Sequence, residues 1–213
     1  FFGSTILAVL IYKWCPVYVT PLMLIRCAQQ VWHGETLRLK HHWVPLDSMS
    51  IYMPVAVMAS EDQRFLMHNG FDFIEINNAI EERRSGKRIR GGSTISQQTA
   101  KNVFLWPNSG WVRKGLEAYF TILIELVWGK ERTMEVYLNS IEMGNGIYGA
   151  EAAANQHFGR KATTLTRPNC ALIAATLPNP LKYNAKEPSS YILKRQTAIM
   201  VQMRHIDVFP RKK

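Results

Sequence analysis

Residues 61–72 read Glu-Asp-Gln-Arg-Phe-Leu-Met-His-Asn-Gly-Phe-Asp, and residues 91–102 read Gly-Gly-Ser-Thr-Ile-Ser-Gln-Gln-Thr-Ala-Lys-Asn. The first sets an acidic pair, Glu61 and Asp62, beside an aromatic residue and a histidine. The second crowds hydroxyls and side-chain amides around a single lysine, Lys101. Polar density of this kind predicts neither a buried helix nor a buried strand, because buried polar groups without partners are costly. It predicts the lining of a wet cleft that binds a polar ligand.

Working outward, Pro54 to Ser60 is an apolar run that leads directly into Glu61. A glutamate placed there sits in a cleft that raises its pKa, so that it can take a proton from a hydroxyl. Asp62, Phe65, His68, Gly70 and Asp72 complete a spacing that an ordinary solvated helix end would not need. In the second segment Ser93, Thr94, Gln97, Gln98 and Asn102 offer groups that both donate and accept, suited to sugar hydroxyls, N-acetyl groups and phosphate oxygens. Further on stands Arg113-Lys114-x-x-Glu117. Lys114 and Glu117 form an i, i+3 pair that reads equally as a surface ion pair worth a few tenths of a kcal/mol. The sharper reading has Arg113 and Lys114 holding a pyrophosphate, with Glu117 positioning them or a divalent cation. Glu125 competes as second carboxylate, but its apolar surroundings favour a structural role.

The chain reads as mainly α, with weak strand signals. Phe73 to Arg84 is predicted as an amphipathic helix with Phe73, Ile76 and Ile80 inward. Trp111 to Trp128 is the longest helical candidate, with Ile122, Leu123, Leu126 and Val127 expected in the core. There Glu117 and Glu125 lie about 80° apart around the axis, flanking one face. Lys130 to Asn139 is another helix, and Gly144, Gly146 and Gly149 mark the loop after it. Thr166 is predicted to cap a helix that Pro178 and Pro180 stop, and Ser189 or Ser190 caps a last helix through Arg204. Residues 85–92 form a basic, glycine-bearing loop.

At the amino end, Phe1 to Tyr12 is apolar and is followed by Lys13-Trp14. Twelve helical residues reach about 18 Å, short of a bilayer, so the stretch is read as the end of a truncated transmembrane helix with interfacial anchors. The expected organisation is a membrane-associated segment over 1–27, a connector over 28–49 and a catalytic domain over 50–213.

Composition narrows the partners. The 213 residues carry 26 Lys+Arg against 16 Asp+Glu, a net charge of +10, and 47% hydrophobic residues. That suits a folded core and anionic partners. No zinc spacing, RNP-like strand or recognition-helix signature is present, and the charge is spread along the chain, so nucleic acid is not an expected partner. Cys15, Cys27 and Cys170 have no metal-ligand spacing, and Cys170 reads as a small buried hydrophobe.

The two opening segments, in this order, resemble the first two signature motifs of the peptidoglycan glycosyltransferases, the lysozyme-like enzymes that polymerise lipid II. Arg113-Lys114-Gly-Leu-Glu117 looks like the third motif. Glu135-x-Tyr137-Leu138-Asn139 with Gly144, Gly149 and Phe158 looks like the fourth. Leu165-Thr166, Ala171-Leu172 and Leu177-Pro178-Asn179-Pro180 look like the fifth. The match runs from about residue 50 to 183, and the short remainder points to the monofunctional members rather than to those carrying a transpeptidase domain.

The resemblance implies a lysozyme-like α lobe with a smaller, membrane-associated jaw, preceded by a transmembrane helix. Glu61 would be the general base that deprotonates the acceptor's GlcNAc 4-hydroxyl. Attack on the anomeric carbon of the growing chain would invert it and release undecaprenyl pyrophosphate. Glu117 would assist the leaving group, directly or through Mg²⁺ or Mn²⁺. Lys101, Arg113 and Lys114 would neutralise pyrophosphate charge. Asp62, Phe65, His68, Ser93, Thr94, Gln97, Gln98 and Asn102 would bind substrate or shape its cleft. Implied too are the bacterial inner membrane with the catalytic domain on its periplasmic side, cell-division or elongation proteins as partners, moenomycin as inhibitor, and no organic cofactor. Two positions depart from the pattern. The loop Trp106-Pro-Asn-Ser-Gly-Trp111 lacks an arginine that relatives often carry, and Met143 replaces a usual phenylalanine.

Two rival readings stand beside this one. A lytic hydrolase on the same scaffold would use two glutamates across a glycosidic bond, but would leave Lys101, Arg113 and Lys114 without a phosphate to bind. A membrane-tethered adaptor that has lost activity would be expected to lack Glu61 or Lys101, and both are present.

Overall fold

The structure, a computed structural model, describes residues 1–85 and 92–209; most of the predicted basic loop lies outside the described residues. Its elements run α1 (Phe2–Tyr12), α2 (Pro21–Trp32), β1 (Lys40–His41), α3 (Tyr52–Glu61), α4 (Phe73–Arg84), α5 (Ile95–Phe104), α6 (Trp111–Val127) and α7 (Gly129–Ser140). After these come β2 (Glu142–Gly144), β3 (Ile147–Tyr148), α8 (Ala150–Phe158), α9 (Arg167–Thr176) and α10 (Ser190–Gln202). The mainly helical reading holds. The three short strands form one sheet in the order β1-β3-β2, with β1 parallel and β2 antiparallel to β3.

Local chemistry explains the helix starts. Thr166 and Thr94 each close a capping box, with Asn169 and Gln97 as the reciprocal partners, and Ser189 accepts from Ile192 N. Asp72 caps α4 by accepting from Ile74 N and Glu75 N.

Two apolar cores share two walls. In the first, α3 is buried on every side from Met53 to Ala59 and packs on α9, whose residues Cys170 to Thr176 are buried; α10 covers α9. The second is built from α1, α5 and α6. Helix α5 gives Ile95 to the first core and Ala100 and Val103 to the second, and α7 gives Tyr137 to the first and Val136 to the second. Side chains on these two shared helices therefore stand where the cores meet.

Three expectations change. Helix α6 runs through the predicted residues, and Leu123 and Val127 pack against the second core beside the buried Phe120 and Ile124, but Ile122 and Leu126 are 52% and 78% exposed, while Glu117 and Thr121 are buried. Helix α4 has no fully buried residue, and Phe73, Ile74 and Ile80 are exposed. Helix α1, at eleven residues, docks along α6. Thr5 Oγ1 lies 2.9 Å from Tyr119 Oη, and the Trp128 indole donates to Val9 O at 2.7 Å. Arg132 donates to Tyr12 O and Cys15 O at the far end. Among the described residues no helix is long and apolar enough to cross a membrane.

The sheet is held to α7 through Asn139, which is fully buried. Its side chain bonds Val44 N, Val44 O and Glu135 O, and its carbonyl lies 3.0 Å from His41 Nε2. Gly149 passes against this residue at φ +82°, where an added Cβ would meet Asn139 O at 2.6 Å. Both the left-handed backbone and the contact exclude a side chain. Gly149→Ala is therefore expected to cost about 2–4 kcal/mol, read as a lower urea midpoint with unchanged slope. An unchanged midpoint would show that the turn relaxes freely.

Candidate active site

Helix α3 ends at Glu61, against the shared helix α5. The Glu61 carboxylate accepts from Ser60 Oγ at 2.8 Å and from Gln98 Nε2 at 3.4 Å. Gln98 is oriented by Tyr137, whose hydroxyl donates to Gln98 Oε1 at 3.1 Å. Burial, reinforced by the charges of Glu61 and Asp62, holds the Tyr137 phenol far above its ordinary range, so it remains a donor. Glu61 keeps part of its surface toward the cleft. Burial raises its pKa above the ordinary carboxylate range, and Asp62 adds to this; the bonds from Ser60 and Gln98 and the charge of Arg195 oppose it.

One turn along α5 from Gln98 stands Lys101. Burial lowers its pKa, opposed by Glu117 and reinforced by Arg113 and Lys114. From α6, Glu117 is 3% exposed and carries two cations: Arg113 Nη1 at 2.8 Å on one oxygen and the Lys114 ammonium on the other. Helix α5 thus carries, one turn apart, the amide of Gln98 that meets Glu61 and the ammonium of Lys101 that stands with Arg113 and Lys114 about Glu117.

Several predicted substrate contacts prove to be supports for this arrangement. Phe65 is fully buried, under the Lys130 ammonium and against Phe209, with no surface left for a ligand. The Asp62 carboxylate accepts from His68 Nε2 and from Ile95 N, each at 3.0 Å, and so ties the Glu61 loop to the start of α5. Thr94 donates to Gly70 O at 2.6 Å and caps α5 with Gln97; both side chains are buried. Asn102 is buried on the same helix, and its Nδ2 has no hydrogen-bond partner among the described residues. Ser93 is exposed, and its carbonyl accepts from Gln98. The expectation that the 91–102 segment avoids a buried helix is overturned. Its polar groups find partners within the fold: Thr99 bonds back to Ile95 O, Ser96 donates to Glu125, and the capping box takes Thr94 and Gln97.

Glu125 is structural. It holds Ser96 and Lys130, and its Cγ packs against Gly70, where φ is +87°. Sequence reasoning missed Ser60, Tyr137 and Arg195 as neighbours of Glu61. Tyr137 carried a signal in the fourth motif, whereas Arg195 carried none. The expected Mg²⁺ or Mn²⁺ at Glu117 does not fit the residues present, because both of its oxygens are already neutralised by Arg113 and Lys114. Among the described residues the grouped potential metal ligands are Asp62, His68 and Asp72. These carboxylates already accept from Ile95, His68, Arg64 and the start of α4.

Residues 29–204 match the family model described as transglycosylase. Over 210 residues the chain is 61% identical to the biosynthetic peptidoglycan transglycosylase of Bacteroides thetaiotaomicron, covering 99% of this chain and 85% of that protein. It is 52% identical over 200 residues to the protein of that name from Bdellovibrio bacteriovorus, covering 94% and 80%. To the one from Caulobacter vibrioides it is 53% identical over 197 residues, covering 92% and 83%.

A raised carboxylate pKa has a stability consequence of fixed sign. Below about pH 4 both folded and unfolded chains hold the Glu61 proton, and the group contributes no difference. As pH rises, the unfolded chain releases it first, so ionised Glu61 destabilises the fold, fully so above its raised folded pKa. Glu61→Gln is expected to be more stable than the parent near pH 7, with the gain shrinking as pH falls toward about 4. Urea midpoints at the two pH values would measure it, and a parent more stable at neutral pH would contradict the burial argument.

Proposed function

The chain belongs to the transglycosylase family and is a peptidoglycan glycosyltransferase of cell-wall synthesis; from that premise we propose that it polymerises lipid II, with Glu61 as general base. The observation that carries this reading is that α5 brings Gln98 against a carboxylate of raised pKa from α3 and, one turn on, Lys101 against the Arg113 and Lys114 cations of α6. A hydrolase of phosphate-free glycan has no use for the second element, and an inactive adaptor has no use for the first.

In this mechanism Glu61 accepts the proton of the acceptor's 4-hydroxyl as that oxygen attacks the anomeric carbon of the donor. Burial makes the carboxylate a stronger base, and Ser60 and Gln98 fix its orientation without occupying its cleft-facing side. The bond to the lipid-linked pyrophosphate breaks, with inversion, and negative charge develops on the leaving oxygen. Lys101, Arg113 and Lys114 neutralise that charge. Glu117 holds Arg113 and Lys114 in place and needs no divalent cation of its own. Because the loop at 106–111 brings no arginine, donor binding rests on Lys101 and Arg113.

The outward apolar faces of α1, α4 and α6 support a membrane-seated jaw. Leu7, Phe73, Trp111, Ile122 and Leu126 are all exposed. Water is a poor solvent for such a surface, and a lipid interface is a good one. We place the enzyme at the inner membrane with its cleft on the periplasmic side, where lipid-linked substrate can enter beside α6. Cell-division or elongation proteins are the proposed partners, and a phosphate-bearing lipid mimic such as moenomycin is the proposed inhibitor.

Incubation with labelled lipid II, followed by chromatography before and after muramidase, tests the activity. Muramidase-sensitive polymer is expected from the parent. Glu61→Gln should lower its rate by about 10²–10⁴-fold, and Lys101→Ala should lower it by about 10²–10³-fold. Cleavage of preformed glycan without polymer would transfer the assignment to the lytic rival. For the membrane face, Ile122→Asp with Leu126→Asp should weaken partitioning to anionic phospholipid vesicles by more than about tenfold while leaving the fold intact. Unchanged partitioning would remove α6 from the membrane contact.

A further inference from the structure

Ser60 occupies an unusual position. Its hydroxyl has one proton and two acceptor lone pairs, and it stands between Glu61 and α10. Arg195 Nη2 lies 3.3 Å from Ser60 Oγ, and Arg195 Nε donates to Ala175 O at 3.2 Å, which clamps the guanidinium over the end of α9. Ser60 Oγ in turn lies 2.8 Å from Glu61 Oε1 and 3.1 Å from Ala174 O. With a lone pair of Oγ facing a guanidinium donor, its single proton must go to one of those two acceptors. The carboxylate is the nearer and the charged one, so it takes the proton.

We propose that Arg195, through Ser60, is a positioning residue for the catalytic base, fixing the Glu61 rotamer and keeping its basicity within a working range. This rests on the reading of Glu61 as base. Arg195 lies beyond the motifs in the sequence, on α10, and reaches the site from behind rather than from the cleft. Among the described residues, the groups facing Glu61 are Ser60 and Asp62 beside it, Gln98 from α5, Tyr137 from α7 and Arg195 from α10, and of these Arg195 is the cation. Arg113 and Lys114 pair with Glu117, and Lys101 stands near the same carboxylate. Without Arg195, burial and Asp62 would act on Glu61 opposed by hydrogen bonds alone, and the base would hold its proton to higher pH.

The test is the pH profile of kcat/KM on lipid II for the full chain with Arg195→Met, Arg195→Lys and Ser60→Ala. Arg195→Met should move the acid limb upward, so that its rate relative to the parent is about three- to tenfold lower at the acid end than on the alkaline plateau. Arg195→Lys, which keeps the charge, should restore most of the limb. Adding Arg195→Met to Ser60→Ala should shift the limb less than the sum of the two single changes, because the relay is already broken. An unshifted limb, or loss confined to KM, would overturn the proposal and leave Arg195 as a strut between helices or a substrate contact. If Arg195→Met fails to fold, an unshifted limb in Ser60→Ala overturns it equally. Glu61→Gln separates the two readings: polymer from that variant removes the base itself, whereas a dead Glu61→Gln with an unshifted Arg195→Met removes only the relay.

Discussion

The Asp62 carboxylate, buried between the His68 imidazole and the first turn of α5, is the tie on which the site depends. It follows Glu61 directly and accepts from Ile95 N, the first residue of the helix that carries Gln98 and Lys101. A carboxylate at a helix N-terminus satisfies an orphan N–H and meets the positive end of the helix dipole. Through it the end of one core and the start of the shared helix hold a common frame. The capping box at Thr94 and the bond from Thr94 to Gly70 O brace the same junction. Much of what looks like a ligand-binding inventory in the sequence is spent on this frame.

The two acidic residues of the cleft show how environment divides their labour. Glu117 is almost fully buried but carries two cations, so its charge is absorbed locally and it serves to hold Arg113 and Lys114. Among the described residues, Glu61 has no cation in direct contact. It receives a hydroxyl and an amide, with the guanidinium of Arg195 one residue removed, and burial drives its pKa upward. Helix α5 places Gln98, which meets Glu61, one turn from Lys101, which stands with Arg113 and Lys114 about Glu117.

Helix α6 joins this chemistry to the surroundings. Its inner face carries Glu117 and Thr121 beside Phe120 and Ile124, and its outer face carries Ile122 and Leu126. The helix thus presents apolar side chains both inward, to the second core, and outward, with its buried Glu117 turned to the Arg113 and Lys114 cations. Helix α1 runs alongside and extends the same surface.

The sequence by itself determined the helical class, the course of α4, α6 and α7 and the caps at Thr166 and Ser189, and it singled out Glu61, Lys101, Arg113, Lys114 and Glu117 as candidates. These were legible because they depend on neighbours in the chain: caps, breakers, and motif spacing within a few turns. What the tertiary structure alone decided was which polar residues face the cleft and which support it. Thr94 and Phe65 turned inward because partners distant in sequence, Gly70 and Phe209, complete their bonds and contacts, and His68 and Gln97 followed through Asp62 and Thr94. The phase of α6 and the approach of Arg195 to Ser60 were equally hidden. Periodicity shows that a helix has two faces, but which face is buried depends on the solvent beyond it and on side chains that arrive from elsewhere in the chain.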